Sequence, residues 1–451
     1  MIGYPEPETE SCLVKILVLS QYWYPENGVP QRRWAWLSKI LVEAGHEVLV
    51  VAPPPHYARK IPIKKWVAKQ GFRSSKSVEK GLSGESVIRC GFFPASNSIT
   101  QRILNQASVA LSMGLMQLNP RGPVRKFRPE LVIGTVPALP TSVLTQVVAK
   151  LHGAPYIIDL RDAWPDLLQE SRNWNEATGR KTVRERVLSR GPLQVLTSLT
   201  GRAMNSALRK SGGVISTSER LERYLADSFS RNGKGPQPEL TTVRNVFPPL
   251  SRIERLSPRE PEAGELNVLY AGTLGRAQKL DNALKAMKIA QDSGLNIKLK
   301  LVGDGATWHA LREEARELGI EAEFYPRGAA DQLAEFYSWA DTALVHLTDW
   351  DALKRAIPSK TYELMELGIH ISGVLNGEAG ALIEELDAGH VVAPEAPEAL
   401  AQLWIDLARN RKLLEVSESG KKWVEEERSF TAPGNMIGIL ERVHKNWRRS
   451  Q

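Results

Sequence analysis

Val14 to Leu19 is a β-rich run ending at Ser20, and Val48 to Val51 is a second, introduced by Gly45-His46-Glu47. Between them, Gln31 to Ala44 places Trp34, Leu37, Ile40 and Leu41 on one helical face. Strand, helix and strand within about 40 residues form the unit of a parallel sheet, because parallel strands need a crossover long enough to hold a helix. The alternation continues through Leu131 to Ile133, Tyr156 to Ile158 and Val214 to Ser216. It stops near residue 250, where Phe247 to Gly264 is rich in proline and charge. It then restarts with strands at Val268 to Ala271, Lys298 to Val302, Phe324-Tyr325 and Thr342 to Leu347, and helices at Leu280 to Ala290, Thr307 to Leu318 and Leu333 to Trp339. The pattern predicts two Rossmann-like, doubly wound α/β domains, at 13–247 and 266–430. Residues 1–12 are expected to be flexible, 248–265 to be a linker, and 431–451 to form a helix that crosses back to the first domain. Open sheets of this kind bind ligands at the carboxyl ends of their strands, so two facing domains enclose a cleft.

A chain of 451 residues is too long for one ordinary core, and 42% hydrophobic with 24% charged residues is ordinary for a soluble protein. Cys12 and Cys90 have neither disulfide-framework nor metal spacing, which points to a reducing compartment. No histidine pair has HExxH spacing. Met1 to Glu10 carries three glutamates and two prolines, unlike a signal peptide. The most apolar stretch, Ile103 to Leu118, is broken by Asn105, Gln106, Ser108, Ser112 and Gln117, so no spanning helix is expected. A cytoplasmic protein is the expectation. Charge is uneven: between Pro53 and Glu130 fourteen basic residues stand against three acids, more than the +8 excess of the whole chain. Such a stretch suits either an anionic partner or a solvated loop region. No helix-turn-helix, RNA-recognition or zinc pattern points to nucleic acid.

Several motifs fall at strand ends. Arg355-Ala-Ile-Pro-Ser-Lys-Thr-Tyr-Glu363 runs on to Gly368 and reads as a loop, a helix start and a glycine stop. Ser359 is placed to cap that helix. Lys360 beside the helix N-terminus attracts phosphate, and Glu363, three residues on, can accept two sugar hydroxyls. Gly272-Thr273-Leu274-Gly275-Arg276 with Lys279 follows a strand and suits either an anion or a tight turn. Gly303 is expected to line a pocket, with Asp304 capping the next helix. Pro25-Glu26-Asn27-Gly28 sits past the first strand, as a ligand contact or as a turn and cap. Asp159-Leu-Arg161-Asp162-Ala-Trp164-Pro-Asp166 offers a surface for a sugar or, alternatively, an internal Asp–Arg pair that fixes the loop. Asp349-Trp350-Asp351 matches an acid-x-acid metal pattern, but its placement argues against a metal.

Taken in order, these pieces resemble the retaining family 4 glycosyltransferases of GT-B fold over nearly the whole chain. The ordered set also includes Ser216 to Arg220, Arg244-Asn245-Val246 and Gly45-His46-Glu47-Val48. The Asp159 to Asp166 and Ile357 to Lys360 segments are similar to the branch of bacterial aminosugar transferases of surface-polysaccharide assembly. The resemblance implies transfer from a nucleoside-diphosphate sugar, UDP type, to a saccharide or lipid-linked acceptor with retention. It implies no cofactor and no metal. Glu363 and Gly303 would face the donor nucleoside. Asp162 and Glu26 are the catalytic candidates, with Asn27, Gly28, Arg161 and Trp164 on the acceptor side.

The chain departs from the family at three places. Arg355 stands where a glutamate is usual, and Thr273 and Gln278 stand where arginine and lysine are usual. The charge is therefore expected to have moved to Arg276, Lys279, Lys360 and Arg355, around a diphosphate that also touches Gly272, Thr273, Gly275 and Ser359. Contact with an anionic membrane is expected through Lys64-Lys65-Trp66, Ile103 to Leu118 and Val183 to Lys210. A GT-B nucleotide-sugar 2-epimerase and a non-catalytic nucleotide-sugar-binding subunit are the competing expectations.

Overall fold

The computed structural model describes residues 13–26, 28–56, 63–69, 71–75, 77–94, 99–136, 138–164, 166, 192–232, 236–248, 264–328 and 330–451. The first sheet has eight strands: β1 (Lys15–Leu19), β2 (Glu47–Ala52), β3 (Val78–Lys80), β4 (Ser86–Arg89), β5 (Leu131–Val136), β6 (Tyr156–Leu160), β7 (Gly213–Ser216) and β8 (Glu239–Thr242). Their order is β3-β4-β2-β1-β5-β6-β7-β8, parallel except for β3 against β4. The second sheet has β9 (Glu265–Ala271), β10 (Asn296–Val302), β11 (Glu323–Tyr325), β12 (Thr342–His346), β13 (His370–Val374) and β14 (Gly389–Val392), in the order β11-β10-β9-β12-β13-β14 and wholly parallel. The α/β architecture matches the alternation in the sequence. Chain direction across each sheet reverses beside its first strand, between β1 and β5 and between β9 and β12. These are the switch points where such sheets bind ligands.

The strands form because both faces are covered. Ile16, Leu17, Val18 and Leu19 of β1 are all fully buried, so an uninterrupted aliphatic run is what the position requires. Over β1, the helix Val29–Glu43 buries Trp34, Leu37 and Leu41, while Ile40 is half-buried. Strands β3, β4, β8, β13 and β14 have no clear sequence signal. Glu239-Leu-Thr-Thr and His370-Ile-Ser-Gly-Val carry polar residues that alternation does not flag. In β13 the polar atoms are satisfied internally: the Thr342 hydroxyl lies 2.8 Å from both His370 Nδ1 and Ser372 Oγ.

The expected linker lies almost wholly outside the described residues, as do residues 1–12. A second crossing is described. The helix Ser419–Glu426 passes through a π-helical turn, Glu427–Thr431, into the helix Ala432–Ser450. That last helix lies against the first sheet, burying Met436, Ile439, Leu440 and Val443. Gly212 and Gly213 admit it, since a Cβ on Gly212 would fall 2.6 Å from Val443 Cγ1. Asn435 donates to the Thr242 carbonyl at 2.8 Å. Each fully buried aliphatic side chain contributes about 1.5–3 kcal/mol, enough to hold the C-terminal segment on the first domain.

Candidate active site

A cavity of about 470 Å³ opens between the two sheets. Gly28, Val29 and Arg32 line it from the first domain. From the second come Gly272, Thr273 and Gln278 after β9, Gly303 after β10, Arg327 and Gly328 after β11, His346 and Leu347 at the end of β12, and Ser359, Lys360 and Glu363 of the helix Ser359–Leu367.

The glycine turns pack on each other. Gly303 has φ +150°, and a Cβ there would lie 1.7 Å from the Gly272 carbonyl oxygen, so no other residue fits. Gly272 N–H donates to the Val302 carbonyl at 2.9 Å, and Leu274 N–H to the Asp304 carbonyl at 3.0 Å. Asp304 does not cap the next helix. Thr307 holds the N-cap position of Trp308–Glu317 without a side-chain cap bond, and its hydroxyl donates to the Leu274 carbonyl at 2.8 Å.

Ser359 likewise does not cap its helix. Pro358 takes that position with extended ψ, Ser359 is the first helical residue, and no side chain caps the N-terminus. Gly368, at φ +62°, ends the helix in the left-handed conformation. An uncapped helix start at the cavity wall favours an anion. Beside it, Lys360 Nζ donates to Tyr337 Oη at 2.7 Å and to Glu363 Oε2 at 3.2 Å. Tyr337 Oη in turn donates to Glu363 Oε1 at 2.9 Å. Lys360 and Tyr337 together hold the carboxylate in one orientation. Burial pulls the Lys360 ammonium below the usual lysine pKa, and the Glu363 carboxylate opposes that pull. Burial also drives the His346 imidazole down to about 3, so that ring adds no charge to the cavity at physiological pH.

The cavity gathers seven of the sequence-derived candidates: Gly28, Gly272, Thr273, Gly303, Ser359, Lys360 and Glu363. Gly275, Arg276, Lys279 and Arg355 are not among its lining residues. Lys279 pairs with Glu395 at 3.1 Å. Arg355 turns to the first domain: it meets Asp166 at 2.9 Å and Asp351 at 3.2 Å, and lies 3.8 Å over the Tyr224 ring. Its carbonyl accepts from Ser218 Oγ at 2.5 Å. A planar guanidinium gains two carboxylates and an aromatic face there, so the expected move of Arg355 to the diphosphate gives way to a domain-to-domain contact. Sequence reasoning missed Arg32, Arg327 and Tyr337. Arg32 had a faint signal, one helical turn beyond Gly28. Nothing local marked the other two.

The Asp159 to Asp166 segment divides its carboxylates among three tasks. Asp159, fully buried, accepts from Arg33 Nη2 and from Trp34 Nε1, each at 2.8 Å. Arg33 also donates to the Val243 carbonyl at 2.8 Å and to Asn245 Oδ1 at 3.1 Å. The internal Asp–Arg pair exists, but its arginine comes from the first helix rather than from position 161. Asp166 serves Arg355. Burial pushes the Asp162 carboxyl above the usual range, with neighbouring Arg161 opposing. Arg161 is buried, with no hydrogen-bond partner at Nε or Nη1, and Trp164 is partly exposed. Glu26 accepts from His56 N–H at 3.0 Å and from Gln31 Nε2 at 3.5 Å. Glu26, Arg161, Asp162 and Trp164 follow β1 and β6 at their carboxyl ends but do not line the cavity. Asn27 lies outside the described residues.

Two other sequence motifs prove to be interdomain. The Glu378 carboxylate accepts from the N–H groups of Glu219 (3.1 Å) and Arg220 (2.6 Å), at the start of the helix Glu219–Asn232. Arg244 bridges Glu378 at 2.5 Å and Glu219 at 2.9 Å. Asp349 meets Lys354 at 3.3 Å and Asn376 at 2.8 Å, while Asp351 meets Arg355, so the acid-x-acid triplet is engaged with cationic and amide side chains.

Residues 28–235 match the family described as glycosyl transferase 4-like domain, and residues 253–428 match glycosyl transferases group 1. The Escherichia coli (strain K12) protein WcaI, named for a glycosyl transferase role in colanic acid biosynthesis, is 24% identical over 405 residues, covering 86% of this chain and 90% of WcaI. Among solved structures, sucrose-phosphate synthase from Thermosynechococcus elongatus superposes with a TM-score of 0.65 at 13% identity, over 97% of this chain and 100% of that one. Anabaena HepE, solved in complex with UDP and glucose, superposes at 0.56 with 14% identity, over 97% and 100%. Two glycine turns, an uncapped helix start and a lysine–glutamate pair thus sit within a recognised two-domain frame, and the chain belongs to the GT-B glycosyltransferases, joining a glycosyl transferase 4-like domain to a group 1 domain.

Proposed function

We propose that this glycosyltransferase moves a hexosyl or aminosugar unit from a nucleoside-diphosphate sugar, UDP type, to a saccharide or lipid-linked acceptor with retention, in cell-surface polysaccharide assembly. The observation that carries this is the cavity itself. Arg32, Arg327 and Lys360 surround one acid, Glu363, at an uncapped helix start between glycine turns. The net positive charge suits a diphosphate, and Glu363 suits the ribose hydroxyls. In the reaction the bond from the anomeric carbon to the diphosphate breaks, the acceptor hydroxyl oxygen joins that carbon on the same face, and its proton passes to the departing phosphate. Lys360 and the helix N-terminus stabilise charge developing on the leaving phosphate, a role that on this reading needs no metal. The acceptor enters from the β1 and β6 side, past Glu26, Gly28, Arg161, Asp162 and Trp164. The names of WcaI and of the UDP complex of HepE agree with the polysaccharide and UDP assignments.

Thermal-shift measurements against UDP, GDP, ADP and their sugars test the donor. We expect a rise with UDP compounds and sugar transfer when an acceptor is added. A shift with no nucleoside diphosphate would sink the assignment, and isomerisation of donor alone would favour an epimerase.

We infer that the lipid-linked acceptor is met at an anionic membrane surface. The helices Ile63–Lys69, Ile99–Gln117, Pro123–Phe127, Leu139–His152 and Pro192–Arg209 contain no aspartate or glutamate. Leu104, Leu111 and Leu115 share one stripe of the second of these, each about half or more exposed, with Leu118 continuing it. Leu144 on Leu139–His152 packs against Gly114, which brings exposed Val147 and Leu151 onto a neighbouring helix. Exposed leucines among lysines and arginines suit an anionic lipid surface. Trp66 is not part of it, because its ring packs edge-on against Phe92 and Phe93, leaving Lys64 and Lys65 outward. Residues 183–191 of the expected contact lie outside the described residues. No described helix is long and apolar enough to cross a membrane. Leu111→Glu with Leu115→Glu is expected to cut co-sedimentation with anionic vesicles by about tenfold or more. Equal sedimentation of the unaltered chain with neutral and anionic vesicles would count against the contact.

A further inference from the structure

Each domain contributes charge to the cavity. Arg32 is the cation that the first domain places among the described lining residues. Its backbone is fixed by the N–H bond to the Gly28 carbonyl at 3.0 Å, one turn into the helix Val29–Glu43. The guanidinium lies 4.7 Å from the centre of the Phe247 ring, and Nη2 reaches the Pro248 carbonyl at 3.5 Å. Its Nε is buried without a hydrogen-bond partner, so the group has donor capacity the protein does not use. Across the cleft Arg32 interacts electrostatically with Glu363 and Tyr337, the groups that also hold Lys360. In the second domain, Lys279 is paired with Glu395 and Arg355 with Asp166, while Thr273 and Gln278 are uncharged.

We propose that Arg32 is a donor-binding arginine of this chain, which reaches from the first domain to the diphosphate and so makes diphosphate binding depend on both domains. This rests on the cavity being a nucleoside-diphosphate site. A diphosphate carries more negative charge than either carboxylate now acting on Arg32, Glu363 or Glu366, and it accepts two parallel N–H bonds from a guanidinium. A free nucleoside lacks both features. Arg32 should therefore contribute to diphosphate affinity and little to nucleoside affinity.

Calorimetric titration of the full chain with UDP, GDP and ADP and with the matching nucleosides separates these contributions. Arg32→Ala is expected to weaken the best diphosphate by about tenfold or more, to leave its nucleoside within about twofold, and to flatten the salt dependence of diphosphate binding. Arg32→Lys, which keeps charge and bulk, is expected to recover part of the loss. Unchanged diphosphate affinity in Arg32→Ala would overturn the proposal, and so would an equal loss for nucleoside and diphosphate, the mark of a merely structural residue. If the unaltered chain binds no nucleoside diphosphate, the cavity assignment fails first, and the titration of the unaltered chain shows that before any variant is made.

Discussion

Lys360→Ala should lower kcat/KM for sugar transfer by about 10²–10³-fold, the scale on which loss of one preorganised donor to a developing negative charge is felt. The side chain is fixed by Tyr337 Oη at 2.7 Å and Glu363 at 3.2 Å, so its charge is already in place before substrate arrives. Removing it deletes the cation in the first turn of that helix and leaves Glu363 with Tyr337 alone from this triad. The loss should appear in nucleoside-diphosphate affinity as well as in turnover, and unchanged donor affinity in this variant would exclude Lys360 from the diphosphate site. The pH profile gives a second measurement. Because burial lowers the Lys360 pKa below the ordinary value of 10.5, its proton is lost earlier on the alkaline side than that of an exposed lysine. Donor affinity should fall as pH rises through that lowered pKa. In Lys360→Arg the fall should move to higher pH.

The second large effect concerns stability. Asp159→Ala should destabilise the fold by about 3–5 kcal/mol, because it strands the Arg33 guanidinium in the core. Both side chains are wholly buried, and Asp159 accepts from Arg33 and from Trp34 Nε1. Denaturant titration of single and double variants measures this directly. Replacing both partners with apolar residues of similar size should cost less than replacing either one, since no unpaired charge remains. A loss under about 1 kcal/mol in the single variant would show that the pair is dispensable. Asp159 stands three residues from Asp162, so a motif that reads as one sugar-binding surface divides into a core pair, a domain contact and a residual acid.

Local patterns carried much of the donor side. Lys360 and Glu363 were legible because three-residue spacing on one helix puts them on one face whatever else surrounds them. Gly303 was legible because it follows a strand, where a turn must form. Ser359 and Asp304 were misread as caps because capping depends on where the helix begins, and Pro358, one residue earlier, and Thr307, three residues later, take those positions. Arg32, Arg327 and Tyr337 join the site from three separate elements, and no spacing along the chain predicts that meeting.

Strands β3, β4, β8, β13 and β14 emerged only in the fold. Where strands carry aliphatic runs, their order with the intervening helices was determined by the sequence alone, since buried parallel strands need such runs and their crossovers need amphipathic helices. So was the chemistry available at each turn. Tertiary structure decided which charges serve the cleft. Arg355 and Lys279 have the right charge but spend it on Asp166 and Glu395, whereas Arg32 is carried to the cavity by the first domain. The reason is that electrostatic attraction falls with distance and depends on burial, and both quantities exist only once the two domains are folded and facing each other.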